Sequence, residues 1–394
     1  MHVRLVDTVA RDSFHEMFNA ALLSMCLTAF ERVEYVCHPS QQACIRRVLE
    51  RHAPATDLKR VRFRPTAVVR REGPVGWVCR YALGALVNLW QLLTLPRGEQ
   101  LIYTTNNPLG LWALNLLCRL RPRRVVVVCH GELELLAQCH PWWRASGWFG
   151  ALLRRTFART TLAPGLKCCV LGRSILRNLT PYVAPKNRAA FFSIDHPYFF
   201  SEAPAAPAPH AQLRVGTVGQ LTPAKGLHRI VELAREIPVP LVVVGRTYGF
   251  DGHAACRNVR FVAGADNGFI PRERYDSEAA ALDYLVFAYD PDGYRLTASG
   301  ALFDALNLCR PVITLRNDYF DDVLRLRAGY VVDTVNDMAA LVRRLAAAWP
   351  ENPDYSLFCE NLLRLRAEFA VETVASRFRE ALRTLYPESK KAER

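Results

Sequence analysis

Three stretches of the chain put polar or charged side chains where an apolar, strand-like run ends. In TVGQLTPAKG (217–226), Gly219 closes the run, Thr222 and Pro223 form a helix-start signal, and Lys225 follows near the first turn of a new helix. A cation at a helix start opposes the helix dipole, so Lys225 makes better sense there if it faces a bound anion such as a diphosphate. In SGALFDALNLCRPVI (299–313), Ser299 and Gly300 open an apolar helix. Backbone N–H groups at such a start are anion donors, and a glycine lets a phosphate come close. Asp304 lies four residues after Gly300, on the same helix face, and a carboxylate there suits the hydroxyls of a ribose. In VVVVCHGELELL (125–136), His130 follows a wholly apolar run and Gly131 permits a turn; Glu132 or Glu134 then begins a helix. A histidine so placed can donate a hydrogen bond to a phosphate or sugar hydroxyl, or shuttle protons. Each signal has a bland counterpart: a solvated loop lysine, an ordinary capped helix, a structural histidine.

Residues of these kinds need a scaffold that gathers strand ends. The first half alternates strand-like runs (2–8, 33–39, 61–65, 101–106, 123–131) with helix-like segments (13–30, 41–51, 75–95, 109–120). Repetition at this spacing predicts a parallel sheet covered by helices. SEAPAAPAPHAQ (201–212) is rich in Ala and Pro and reads as an extended linker. The pattern then restarts, with strands at 212–220, 239–246, 258–264, 281–290, 310–315 and 329–333 and helices at 225–237, 337–349, 355–366 and 372–385. The expected fold class is α/β: two Rossmann-like, doubly wound domains facing a central cleft. The expected boundaries are 1–200, a linker at 201–212, and 213–394, with the last helix able to pack back on the first domain. In such sheets ligands bind at the carboxyl ends of the strands.

With these motifs in view, the chain resembles glycosyltransferases of the two-Rossmann-domain (GT-B) type, and within them the retaining family-four group that builds bacterial polysaccharides and glycolipids. The resemblance is clearest over 212–333. The family's G-R-L-x-x-x-K-G segment reads Gly219, Gln220, Leu221, Thr222, Pro223, Ala224, Lys225, Gly226, so Lys225 matches the diphosphate-binding lysine and Gln220 stands where an arginine is usual. Ser299–Ile313 resembles the second half of the family's acid-x7-acid element, with Asp304 at the ribose acid. Eight residues earlier stands Leu296, so the first acid is displaced; Asp292-Gly293-Tyr294 looks like the family's Glu-Gly-Phe moved by a longer loop. Arg295 in that loop offers a replacement cation. His130 resembles the first-domain histidine that reaches the donor sugar. The resemblance therefore implies a donor site of Gly219, Gln220, Lys225, Arg246, Ser299, Gly300 and Asp304, with His130, Lys225 and Arg295 as catalytic residues. Asp12, His15 and Asn106 are assigned to the acceptor side. The implied reaction moves a sugar from a nucleotide-diphosphate sugar to an acceptor hydroxyl with retention, without metal or cofactor. A nucleotide-sugar epimerase of the same fold is the alternative enzyme.

Charge points to partners. Residues 1–200 hold 27 Lys+Arg against 12 Asp+Glu, whereas 201–394 hold 24 against 25. A basic first half predicts an anionic partner: a lipid-linked saccharide acceptor at an anionic membrane surface, or a phosphorylated substrate. HPWWRASGWFGALLRRTFARTT (140–161) interleaves Trp142, Trp143 and Trp148 with Arg144, Arg154, Arg155 and Arg159, a composition suited to a membrane interface. No nucleic-acid-binding module is recognisable, so a basic nucleic-acid- or membrane-binding protein without catalysis is the rival class. The twelve cysteines form no C-x-x-C pair and several sit in apolar runs, which predicts small hydrophobes in a reducing cytoplasm and no zinc site. No export signal or membrane-spanning run is read, so the expected location is cytoplasmic, peripheral at the inner membrane face.

Overall fold

Among the described residues of the computed structural model, thirteen strands, all parallel, build two sheets. The structure describes residues 2–70, 73–138, 140–202, 209–249, 256, 258–264, 267–268 and 270–387. The first sheet uses β1 (His2–Val6), β2 (Arg32–Cys37), β3 (Val61–Pro65), β4 (Gln100–Tyr103), β5 (Arg124–Val128), β6 (Leu166–Val170) and β7 (Phe191–Ser193). Its order is β3-β2-β1-β4-β5-β6-β7. The second uses β8 (Val215–Val218), β9 (Leu241–Val244), β10 (Val259–Val262), β11 (Tyr284–Phe287), β12 (Val312–Leu315) and β13 (Gly329–Val332), in the order β10-β9-β8-β11-β12-β13. Both therefore reverse direction beside their first strand, which is the doubly wound Rossmann order. The central strands are nearly all Val, Leu, Ile and Phe because helices cover both faces and leave no polar side. β5, β9 and β11 accordingly bury every residue from their second onward.

The chain divides into two compact units, Met1–Phe199 with Leu296–Ala298 and Phe369–Arg394, and Phe200–Arg295 with Ser299–Glu368. In the first, right-handed crossovers that run opposite ways from β1 place helices on opposite faces. Glu16–Ala29 packs on one face beside Pro39–His52 and Val371–Leu385. The last helix is held by apolar burial of Val371, Val374, Ala375 and Phe378, and Tyr386 Oη donates to the Val125 carbonyl at 2.8 Å. On the other face Gly73–Leu93 packs beside Pro108–Leu120, which packs beside Ala145–Arg154. Asn107 caps the middle helix by accepting from the N–H groups of Leu109 and Gly110, with Pro108 at the first position.

The second unit closes on a core that includes Val215, Ile230, Val243, Val286, Ile313 and Val342. Both ends of the Ala/Pro-rich stretch are tied to this unit: Ser201 N–H and Oγ donate to Asn307 Oδ1, and His210 Nδ1 lies 2.8 Å from Asp283 Oδ1. The middle of the expected linker, 203–208, falls outside the described residues. Some elements escape the periodicity, helices Arg173–Leu179 and Asp318–Val323 among them. LKCCV is strand β6, too short to alternate, and Arg272–Ala280 is a helix whose sequence is polar almost throughout, burying only Tyr275 and Ala279.

The helix expected from 225 starts two residues later. Pro223–Lys225 is a separate 3-10 turn capped by Thr222, and Gly226 then takes a left-handed φ of 74° before helix Leu227–Glu236. A Cβ at Gly226 would stand 1.8 Å from the Ala288 carbonyl oxygen, so the turn is pressed against the end of β11. Gly226→Ala is expected to destabilise the protein by about 2 kcal/mol or more, because both the φ and the close approach forbid a side chain. Urea unfolding of the variant beside the parent measures this; an unchanged midpoint would show that the approach is not tight.

Candidate functional site

At the order reversal of the second sheet, β8 and β11 end side by side and their loops diverge. Gly219 follows β8 with φ 101°, and a Cβ there would meet Ala301 Cβ at 3.1 Å. The turn after β8 thus lies directly on the first turn of helix Gly300–Leu308. Leu221 N–H donates to the Arg246 carbonyl, which sets the Gln220 loop beside the end of β9, and the Arg246 guanidinium stacks over the Tyr248 ring at 4.6 Å.

Tyr289, just beyond β11, connects the cation to the helix. The Lys225 ammonium lies 5.6 Å from its ring centroid, and its hydroxyl is 3.0 Å from Ser299 Oγ. Ser299 therefore spends its side chain on Tyr289 and makes no capping bond to the helix. The helix begins at Gly300 with Ser299 in the cap position, as expected, but the cap's side chain is engaged elsewhere. The leading N–H groups of any helix have no partner within it, and the space a Cβ would fill at Gly300 is open to 4 Å. Lys225 is relocated. It precedes its helix, and its own N–H is spent on Thr222.

Asp304 is buried, not solvated. Tyr275 Oη donates to its Oδ2 at 2.7 Å and Arg272 Nη2 to its Oδ1 at 3.0 Å. Both donors come from helix Arg272–Ala280, and neither was marked in the sequence. The only signal was an Arg and a Tyr three apart in a polar segment. Arg295 is exposed, with its guanidinium 4.0 Å from Asp318 Oδ2, so a carboxylate already shares its charge.

In the first unit, His130 follows β5 and its Nε2 lies 2.9 Å from the Thr104 carbonyl oxygen. A carbonyl only accepts, so Nε2 carries the proton. Burial, then His15 and His196 nearby, hold the ring well below its ordinary pKa, so it is neutral. Nδ1 is then an acceptor, which narrows the expected role: His130 can accept from a sugar hydroxyl through Nδ1 but has no second N–H for a phosphate. Phe18 stands edge-on to His130 at 4.6 Å, and the His15 ring is 5.1 Å away. His15 and Asp12 both take left-handed φ values, 59° and 52°, and the helix expected from 13 starts at Glu16. Asn106 is buried, and neither its Oδ1 nor its Nδ2 finds a hydrogen-bond partner among the described residues. Glu132 ends up not in a helix but in the 3-10 turn Gly131–Leu133, and its Oε1 accepts from His130 N–H at 2.9 Å. Glu134 Oε1 accepts from the Leu296 N–H and from Thr297 Oγ1, which holds segment 296–298 in this unit.

No protein-family model and no curated protein sequence matches the chain. Solved structures do. The chain is similar to sucrose-phosphate synthase from Thermosynechococcus elongatus at 15% identity and a TM-score of 0.69, covering 99% of this chain and 100% of that one. It is similar to Anabaena HepE in complex with UDP-glucose at 13% identity and a TM-score of 0.64, covering 98% and 100%. A glycosyltransferase from Rickettsia africae is similar at 9% identity and 0.62, covering 98% and 99%. At such identities the likeness establishes the fold, two Rossmann-like α/β domains of the GT-B type.

Burial raises the Glu132 carboxyl from its ordinary 4.5 to about 7, against backbone N–H bonds from His130, Glu132 itself and Asn106. An acid raised in this way binds more protons folded than unfolded, so its contribution to stability is present below about 4.5 and lost as pH rises through about 7. His196, lowered by burial to about 4, acts oppositely: its contribution is present above 6.5 and lost as pH falls towards 4. Glu132→Gln keeps an acceptor for His130 and removes only the first effect. The stability gained over the parent should therefore grow between about pH 5 and pH 8. Parallel denaturation curves at the two pH values, with a constant difference, would contradict it.

Proposed function

We propose that the protein is a glycosyltransferase whose second unit binds a nucleotide-diphosphate sugar. The observation that carries the reading is the assembly of Gly219, Lys225, Tyr289 and the open start of helix Gly300–Leu308 at one strand-order reversal. Lys225 and the helix N–H groups give a diphosphate a cation and backbone donors. Both act on the oxygen that gains negative charge as the sugar–phosphate bond breaks. Asp304 takes the ribose. The bonds from Tyr275 and Arg272 orient its carboxylate, a group that accepts from hydroxyls. Gln220 and Arg246 flank this donor site, and His130 accepts from the transferred sugar. Arg295 contributes the remaining positive charge. The HepE structures hold UDP and UDP-glucose, which supports a UDP-sugar as the first donor to try.

The acceptor side belongs to the first unit, where Asp12, His15 and the unspent amide of Asn106 lie near the ends of β1 and β4. Its basic composition supports a lipid-linked saccharide at an anionic inner membrane surface, with a role in surface polysaccharide synthesis. Retention of configuration and independence from metal and cofactor follow the family resemblance.

Lys225→Ala is expected to lower transfer from UDP-glucose or a related donor by about 100-fold or more while leaving the melting temperature in place. Full activity in that variant would end the diphosphate assignment. A thermal-shift panel of UDP, GDP and ADP identifies the base. In it, Asp304→Asn and Tyr275→Phe should each weaken the preferred nucleotide by about tenfold, since each removes part of the ribose-binding geometry. Unaltered nucleotide affinity in both would remove Asp304 from the site.

A further inference from the structure

The three helices on one face of the first sheet carry a second apolar stripe, turned outward. Helix Gly73–Leu93 exposes Leu86, Trp90 and Leu93, at i, i+4 and i+7, and Pro108–Leu120 exposes Trp112, Leu116 and Leu120, again on one side. Trp142 and Trp143, before helix Ala145–Arg154, and Trp148 within it are also exposed. The exposures are large: 83% for Trp142, 73% for Leu120 and 60% for Trp90. The three helices adjoin in one layer, and Trp77 and Tyr81 of the first pack on Phe149 of the third at 4.6 and 5.5 Å. The exposed apolar side chains therefore belong to adjacent helices of one layer, and so many large ones on one layer are unusual for a face left to water.

The charge around it selects the occupant. Residues 73–161 carry ten arginines and three acids. Of the acids, Glu134 is buried, and Glu132 and Glu99 are half-buried, whereas Arg119, Arg121, Arg144 and Arg155 are exposed. A second copy of the chain on this face would oppose arginine to arginine. An anionic bilayer would meet the arginines with phosphates and take the Trp and Leu side chains at headgroup depth. Among the described residues no helix is long and apolar enough to cross a membrane. These helices start at the carboxyl edge of the sheet, the edge at which His130 and Asn106 lie, so Trp142, Trp143 and Trp148 stand toward the edge where an acceptor would arrive.

We propose that the outward face of Gly73–Leu93, Pro108–Leu120 and Ala145–Arg154 docks flat on an anionic lipid surface, with the tryptophans at headgroup depth. This rests on the membrane reading above and gives it a place. The test is co-sedimentation of the full chain with vesicles of phosphatidylcholine alone and with about a third phosphatidylglycerol. The parent should bind the anionic vesicles far better. Trp90→Glu with Leu116→Glu should reduce binding by about tenfold or more, and Arg144→Ser with Arg155→Ser should reduce it in a salt-dependent way. Circular dichroism and the UDP-glucose thermal shift should match the parent in both, because these side chains are exposed and lie outside the donor site. Vesicle binding by the parent that survives both double variants overturns the assignment of this face while leaving the membrane reading. No binding by the parent overturns both. A dimer in solution that Trp90→Glu with Leu116→Glu dissolves, without vesicle binding, makes the face a protein interface and also overturns the proposal. Loss of the UDP-glucose shift in the parent bears on the donor reading alone.

Discussion

Close approach of backbone to backbone at the end of β8 is the constraint on which the second unit's site depends. Gly219, Gly226 and Gly245 each stand where a Cβ would meet a neighbour: Ala301 Cβ, the Ala288 carbonyl and the Gly219 carbonyl. Without side chains at these points, the loop after β8 folds down onto the ends of β9 and β11 and against the first turn of helix Gly300–Leu308. Lys225 then stands over the ring of Tyr289. The cation is positioned by crowding of the main chain, and no carboxylate partner is needed to hold it.

Tyr289 and Tyr275 do related work from different elements. Each is buried, and each uses its hydroxyl on a polar group of helix Gly300–Leu308 or its cap: Ser299 for Tyr289, Asp304 for Tyr275. Anchoring a buried polar group avoids the cost of leaving it unsatisfied, about 1–3 kcal/mol each. It also leaves the N–H groups at the start of the helix without side-chain competition. A helix whose cap residue is engaged elsewhere keeps its anion-binding capacity for a ligand.

The first unit handles its polar groups differently. His130 is neutral, with one nitrogen committed to Thr104, and the neighbouring Glu132 carboxyl is pushed up by burial to about 7. This part of the sheet edge is short of charge although the unit as a whole is strongly basic. The arginines lie instead around the outward faces of the helices, beside exposed tryptophans and leucines. The separation suits a neutral, hydroxyl-rich ligand at the strand ends and an anionic surface against the helices.

The alternation of strand and helix was legible from the residues, because a parallel sheet buried on both faces needs runs such as VVVV and LVVV that announce themselves. So was the glycine-closed strand before Lys225, since a tight turn needs a residue without a side chain. The doubly wound order and the GT-B likeness follow from these local signals. Partners distant in sequence were not legible. Nothing near Asp304 shows that Arg272 and Tyr275, some thirty residues earlier in a polar helix with no apolar stripe, would bury it. Nothing at Leu296–Ala298 shows that Glu134 would hold that segment in the first unit. Periodicity reports how a segment meets a core, whereas hydrogen bonds between segments depend on which core it meets, and that is decided only when the chain has folded.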